Sequence, residues 1–286
     1  MNGSIDASSI RNAINVCVIN LFLPCLCIKV FYSSKIDFQS IILPISAITS
    51  IMASLIVAYL IYRFLRGILK LTRQQEGVLI IGSAFGNVTF LGLPVLVTTF
   101  GDGAAIYALY YDLFGTTPMV WLLGSYIAAR FGNNHDYKLK EALQHLYTLP
   151  PLWGIAIGLC LNLTGLLLPS FVLNTISLLG GLVIPLMIFS IGLALEAPNV
   201  KHAYIIIPSI IVKLLFSPII SYVTAKITGL EGVSLNAALI EGAMPTMVVL
   251  LLISARFSID VGLCAFLILI TTLLSFLTLP IAVLLL

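Results

Sequence analysis

The chain has 286 residues, of which 60% are hydrophobic and only 9% are charged, and its formal net charge is +3. A soluble domain carries about 25% charged residues, and a chain of this length cannot form a core that hides so much apolar surface from water. The composition therefore excludes a soluble fold. It also shows no basic patch with interleaved aromatic residues, so we expect no nucleic-acid partner.

Nine apolar segments are each long enough to cross a hydrocarbon core about 30 Å thick. We name them spans A to I, and they cover residues 12–32, 42–66, 76–100, 104–130, 146–167, 170–195, 203–225, 233–256 and 260–285. The sequence thus predicts an all-α polytopic membrane protein with short loops, in which lipid surrounds the helices.

The basic residues predict the orientation of these spans. Two loops, between spans B and C and between spans D and E, contain most of them: Arg63, Arg66, Lys70, Arg73, Arg130, Lys138 and Lys140. Cytoplasmic loops are enriched in lysine and arginine. This assignment places ten basic residues inside and three outside. We therefore expect an integral protein of a bacterial inner membrane or plasma membrane, with a cytoplasmic N-terminus and an external C-terminus.

Spans A to D resemble spans F to I in the same order. The matching pairs are Leu21–Pro24 with Leu182–Pro185, Ile41–Pro44 with Ile205–Pro208, and Phe100–Asp102 with Phe257–Ser258. The members of each pair of spans run in opposite directions, which predicts an inverted repeat. We divide the chain into a first repeat at 1–145, with four spans, and a second repeat at 146–286, with five. Span E has no counterpart, so the first helix of a five-plus-five architecture is missing from the pattern.

Spans C and H each contain a break near the middle of the membrane. Span C contains three glycines, an asparagine and a proline between Gly82 and Pro94, and span H contains the segment Glu241–Thr246. Proline removes a backbone donor, and carbonyls left unpaired in hydrocarbon need another partner. We interpret the pair as discontinuous helices beside a substrate site. The alternative is a pair of proline kinks with glycines that allow close helix packing.

Three ionisable residues lie deep within spans: Asp112 in D, Lys213 in G and Glu241 in H. Each would cost at least about 2.5 to 3.5 kcal/mol if it faced lipid, so we expect all three to face the interior of the bundle. Lys213 could attract an organic anion, and Glu241 could carry a coupling proton. The alternative is that Lys213 and one acid form a purely structural pair.

The chain resembles the auxin efflux carrier superfamily, which includes plant auxin exporters and bacterial malate and malonate carriers. The segments that carry the resemblance are Asn87–Pro94, Phe100–Gly101, Tyr110–Asp112, Pro185 with Ser190–Gly192, Ala243–Pro245, Thr271–Ser275 and Thr278–Pro280. The resemblance implies ten helices in two inverted repeats, with the fourth and ninth crossing at their broken midpoints beside the substrate. Those two are spans C and H here, and the chain begins at the family's second helix. The resemblance also implies a homodimer.

We therefore expect a secondary active transporter of a small organic anion, such as a carboxylate, that works by alternating access. The predicted substrate-binding residues are Asn87, Thr89, Gly92, Pro94, Tyr111, Asp112, Met244, Pro245 and Thr246. Glu241 and Lys213 are the candidates for ion coupling, with a proton or sodium as the coupling ion. The alternatives are a sodium-coupled bile-acid-type or sodium/proton carrier of similar fold, and a truncated remnant that does not transport. No sequence pattern indicates an enzyme, a cofactor or a metal site.

Overall fold

The computed structural model describes residues 7–33, 38–133, 137–194 and 203–284. Eight α-helices occupy predicted spans A to D: α1 (Ala7–Cys17), α2 (Leu23–Ser33), α3 (Phe38–Leu69), α4 (Arg73–Gly82), α5 (Leu93–Phe100), α6 (Ala105–Tyr111), α7 (Thr117–Met119) and α8 (Ser125–Phe131). Short π-helical turns continue several of them: Val18–Phe22, Val88–Gly92, Asp112–Thr116 and Val120–Gly124. A 3₁₀ turn at Asp102–Ala104 precedes α6.

The second half of the chain is built in the same way. Its helices are α9 (Leu139–Tyr147), α10 (Pro150–Thr164), α11 (Ser170–Gly181), α12 (Val183–Ala194), α13 (Ile207–Ile211), α14 (Ser217–Ile227), α15 (Gly232–Gly242), α16 (Leu250–Phe257) and α17 (Val261–Leu284). A 3₁₀ turn at Ala203–Ile206 precedes α13, and a π-helical turn at Val212–Phe216 joins α13 to α14. Within the described ranges the chain contains no strand, only one isolated bridge. The prediction of an all-α membrane protein is confirmed.

Several helical segments among the described residues are long and apolar enough to cross a membrane. Five meet the criterion alone: Ser9–Ser33, Phe38–Leu69, Ser170–Ser190, Tyr204–Ile227 and Val261–Leu284. A sixth arises if α9 and α10, which meet at a bend of 49°, count as one span. These six correspond to spans A, B, F, G, I and E. Spans C and H are interrupted and span D carries a buried carboxylate, so the nine-span count and the inverted repeat stay predictions.

Local sequence signals set the ends of several helices. Thr72 begins α4 with a capping box, in which its hydroxyl accepts from the backbone amide of Gln75 and the Gln75 side chain accepts from the Thr72 amide, at 3.2 and 3.1 Å. Helix α10 begins with two prolines, whose missing amide donors would have no partner in a first turn. It ends at Gly165, whose φ of 65° is the left-handed conformation that favours glycine.

Glycines and small hydroxyl residues hold the helices together. Gly154 and Gly158 bring α10 against α2, and a Cβ atom at Gly154 would lie 2.6 Å from the carbonyl oxygen of Pro24. Between spans B and G, the Tyr62 hydroxyl lies 2.7 Å from the Ser209 hydroxyl. Such contacts are typical of helix packing in lipid, where apolar surface alone does not drive association.

We predict that the two basic loops are cytoplasmic and that the C-terminus is external. A reporter fused after Leu286 should therefore be active outside the cell, whereas the same reporter inserted near His135, between spans D and E, should be active in the cytoplasm. Paired alkaline phosphatase and fluorescent protein fusions measure this. Finding both positions on one side of the membrane would contradict the nine-span topology.

Candidate functional site

The breaks in spans C and H cross and pair with each other. Two backbone hydrogen bonds and an isolated antiparallel bridge join them: Asn87 N to Pro245 O at 2.7 Å, Met247 N to Phe85 O at 2.9 Å, and the bridge between Gly86 and Thr246. Each interruption thus supplies partners for backbone groups that the other leaves free. This satisfies the requirement that irregular backbone at membrane depth be buried in protein.

The C-terminal ends of the first half-helices, α4 and α15, are capped by the protein itself. The carbonyl oxygen of Gly82 accepts a hydrogen bond from the Thr246 hydroxyl at 2.9 Å. The carbonyl oxygen of Gly242 accepts from the Lys213 ammonium and from the Ser217 hydroxyl, each at 3.0 Å. Lys213 is fully buried, with 1% of its surface exposed. A cation is favourable at the negative end of a helix, and here it neutralises that end inside the bundle.

The N-terminal ends of the second half-helices face a cavity of about 140 Å³. Residues from spans A, C, D, E and H line it: Ile19, Leu23, Thr89, Phe90, Asp112, Leu113, Thr117, Trp121, Leu149, Pro151, Met247, Val249 and Leu252. Thr89 and Phe90 lie in the first turn after the break in span C, while Met247 and Val249 precede α16 after the break in span H. The first amides of a helix have no partner within it and carry a partial positive charge. Residues at the start of both second half-helices therefore line the cavity.

Asp112 is the acidic residue in this cavity. It is 2% exposed, and its carboxylate accepts hydrogen bonds from Thr117, at 3.0 Å, and from Thr89. Thr89 belongs to span C, whereas Asp112 and Thr117 belong to span D, so these hydrogen bonds tie the crossing to its neighbour. Carboxylate and hydroxyl oxygens in a small cavity can hold a proton or a hard cation.

Glu241 lies in the last turn of α15, in the half of span H that the predicted topology places on the outer side, as it does the α5 half of span C. It is 1% exposed, and neither carboxylate oxygen has a hydrogen-bond partner among the described residues. Its carboxylate rests on Gly92 of span C, where any Cβ atom would overlap it. The ion pairs of the described chain are Arg66–Glu76, Lys138–Glu141 and Arg256–Glu141. Lys213 and Glu241 therefore do not form a direct ion pair, which was one form of the alternative interpretation from the sequence.

The structure divides the predicted substrate-binding residues into three groups. Thr89 and Asp112 line the cavity. The residues that form the buried crossing are Asn87, Met244, Pro245 and Thr246. The residues that do not line the cavity and lie outside the crossing are Gly92, Pro94 and Tyr111, and the Tyr111 hydroxyl lies 3.1 Å from that of Ser221. The predicted Asn87 contact with substrate stays a prediction, because its backbone, and not its side chain, makes the bond at the crossing.

Sequence reasoning missed most of the residues that line the cavity, among them Thr117, Trp121 and Met247. The segment Thr116-Thr117-Pro118 offered a signal, since two hydroxyl residues and a proline interrupt an apolar span. Met247 follows the predicted break by two residues and gave no signal of its own. A larger groove of about 440 Å³ lies at the end of span B. We place the site in the smaller cavity because a buried carboxylate and both breaks line it.

Helix α9 lies against the predicted cytoplasmic end of the cavity. Arg256, at the end of α16, contacts Glu141 of α9 at 2.7 Å and His145 Nε2 at 3.2 Å. The His145 ring stacks on Trp121, a residue of the cavity wall, with ring centroids 5.0 Å apart. Helix α9 is thus held beside the cavity wall through polar and ring contacts at the protein surface.

Comparison with known proteins identifies the class. The family model described as membrane transport protein matches residues 4–138 and 137–283. The chain therefore belongs to this family, the auxin efflux carrier family of membrane transporters. It is 32% identical to an uncharacterized transporter of Methanocaldococcus jannaschii over 228 residues, which are 78% of this chain and 72% of that protein. It is 29% identical to an uncharacterized transporter of Methanothermobacter thermautotrophicus over 284 residues, which are 97% of this chain and 88% of that protein.

Proposed function

We propose that the protein is a secondary carrier that moves a small organic anion, a mono- or dicarboxylate, by alternating access about the crossing of spans C and H. The observation that carries this proposal is the cavity lined by the N-terminal ends of the two second half-helices. The C-terminal ends of the two first half-helices, α15 and α4, are capped by Lys213 and Thr246. Because the protein itself caps the negative C-terminal ends of α4 and α15, the positive N-terminal ends of the second half-helices are the ones available to a ligand. Such ends bind carboxylates and phosphates.

The size of the cavity supports a small substrate. Its volume of about 140 Å³ is close to that of an engineered protein cavity of about 150 Å³ that binds benzene. A carboxylate of about four carbon atoms is of similar size. Apolar residues such as Leu23 and Leu252 form much of the wall, so the carbon chain would contact them while the carboxylate meets the backbone amides.

Asp112 supports coupling to a cation. An ionised carboxylate in the same cavity repels an anion by several kcal/mol at the effective dielectric of a protein interior. The anion therefore binds well only when a cation offsets this charge. A proton or sodium ion supplied from one side of the membrane would make binding, and hence transport, depend on its gradient.

A sodium-coupled carrier of similar fold is the second candidate. The observation that favours it is the grouping of the Asp112 carboxylate with the hydroxyls of Thr89 and Thr117, because oxygen ligands of this kind suit a hard cation. The proton and sodium versions share the cavity and differ only in the ion that offsets Asp112.

Uptake by proteoliposomes tests the proposal. Vesicles with purified protein should accumulate radiolabelled malonate or malate when a pH gradient or a sodium gradient is imposed, and vesicles without protein should not. Accumulation driven by pH alone identifies proton coupling, and accumulation that requires sodium identifies the second candidate. Absence of uptake of either carboxylate under both gradients, with folded protein, would contradict anion transport and favour a remnant that does not transport.

A further inference from the structure

Glu241 is a buried ionisable group that the substrate cavity does not use. It does not line the cavity, and both its carboxylate oxygens are buried without a hydrogen-bond partner among the described residues. A buried carboxylate without donors or a cation is strongly unfavourable, because the protein interior cannot replace its hydration. The geometry therefore requires that something else compensate this group.

The charges around Glu241 oppose one another. Lys213 of span G favours its ionised form, whereas Asp112 of span D disfavours it, and the Tyr111 ring of span D is close by. On span C, the backbone of Gly92 lies against its carboxylate. The Lys213 ammonium donates to Gly242 O and to Ser217, and it forms no ion pair with Glu241. Asp112 adds a like charge.

The position of Glu241 on its own helix acts in the same direction. It is the second-last residue of α15 (Gly232–Gly242), an 11-residue helix. The C-terminal end of a helix has free carbonyls and no free amides, so it offers no donor to an anionic side chain there. Lys213 already caps the carbonyl of Gly242 at this end. The ionised form therefore lacks a compensating partner in its own helix as well.

We propose that Glu241 is a proton-binding site, separate from the substrate cavity, that is occupied when the outer halves of spans C and H are in contact. The neutral acid fits against the Gly92 backbone. The proton leaves when these halves separate and water reaches the carboxylate. With the proton bound, Glu241 adds no negative charge to that of Asp112 near the crossing.

The role of this proton in coupling rests on the proposed function, whereas its presence does not. Infrared difference spectroscopy of the protein in lipid nanodiscs, without substrate, detects the carbonyl stretch of a neutral carboxylic acid. We expect this absorption in the wild-type protein at neutral pH and its loss in Glu241→Gln. The matched control is Glu231→Gln, which removes an exposed acid just before the same helix and should leave the absorption unchanged. If Glu241→Gln does not fold, Glu241→Met must show the same loss.

Transport assays distinguish the presence of the proton on Glu241 from its role in coupling. Glu241→Gln should exchange labelled for unlabelled carboxylate at a rate near that of the wild-type protein, but should lose accumulation driven by a pH gradient. An unchanged infrared absorption in folded Glu241→Gln would overturn the proton site whatever the transport result. Loss of the absorption with intact pH-driven accumulation would overturn its role in coupling. If the wild-type protein transports no carboxylate, the proposed function fails, and the infrared result still decides the proton site.

Discussion

Replacing Asp112 by asparagine is expected to uncouple transport. The amide can still accept from Thr89 or Thr117, so the cavity should keep its shape, but the charge that repels an anion is gone. The affinity for malonate or malate should rise at least about tenfold, a change of about 1.4 kcal/mol. Accumulation driven by a cation gradient should be lost, because anion binding no longer requires the cation. Equilibrium binding and gradient-driven uptake in proteoliposomes measure the two effects.

Asp102→Asn is the matched control for Asp112→Asn. Asp102 is an exposed acid in the 3₁₀ turn before α6, just before the start of the same span. Its replacement should change neither affinity nor coupling. Wild-type coupling in folded Asp112→Asn would show that the carboxylate in the cavity does not link the cation to the substrate.

Replacing Lys213 by methionine is expected to destabilise the folded protein strongly. The change removes a donor to the buried Gly242 carbonyl and leaves the negative end of α15 without its cation. Removing one charged member of a buried polar network costs about 3 to 5 kcal/mol. The thermal midpoint in detergent should fall, and the yield of monodisperse protein should fall with it. Any folded fraction should bind the anion more weakly.

One further variant controls for the Lys213 effect. Lys226→Met removes an exposed lysine from the last turn of α14, and it should leave the midpoint unchanged. Equal midpoints for Lys213→Met and Lys226→Met would contradict the role of Lys213 as the cation of the crossing.

The sequence predicted the broken helices because their signals are local. Pro245 and the glycines of span C interrupt apolar spans in any environment, and the breaks lie at Ser83–Asn87 and Ala243–Val249. The burial of Lys213, Asp112 and Glu241 followed from the cost of a charge in lipid. These predictions needed no knowledge of which spans are neighbours.

The partners of these residues could not be predicted from the sequence. The sequence suggested an acid as the partner of Lys213, whereas its ammonium donates to a backbone carbonyl and to a serine. Because every residue has a backbone carbonyl, the sequence cannot show which one a lysine contacts. The cavity wall combines Ile19 and Leu23 of span A with Leu149 of span E, and these ordinary apolar residues become neighbours only through packing. Asn87 was expected to contact substrate, but its backbone amide also donates to the carbonyl of Pro245 at the crossing.

Counterflow tests the central claim, carriage of a small carboxylate by alternating access, most directly. Proteoliposomes are loaded with unlabelled malonate or malate and diluted into a trace of the labelled compound, with no ion gradient. A carrier with one site exposed alternately to each side should accumulate label transiently above its external concentration, and an excess of external unlabelled compound should abolish this. Folded protein that shows only equilibration of label, or no label above protein-free vesicles, would contradict the account.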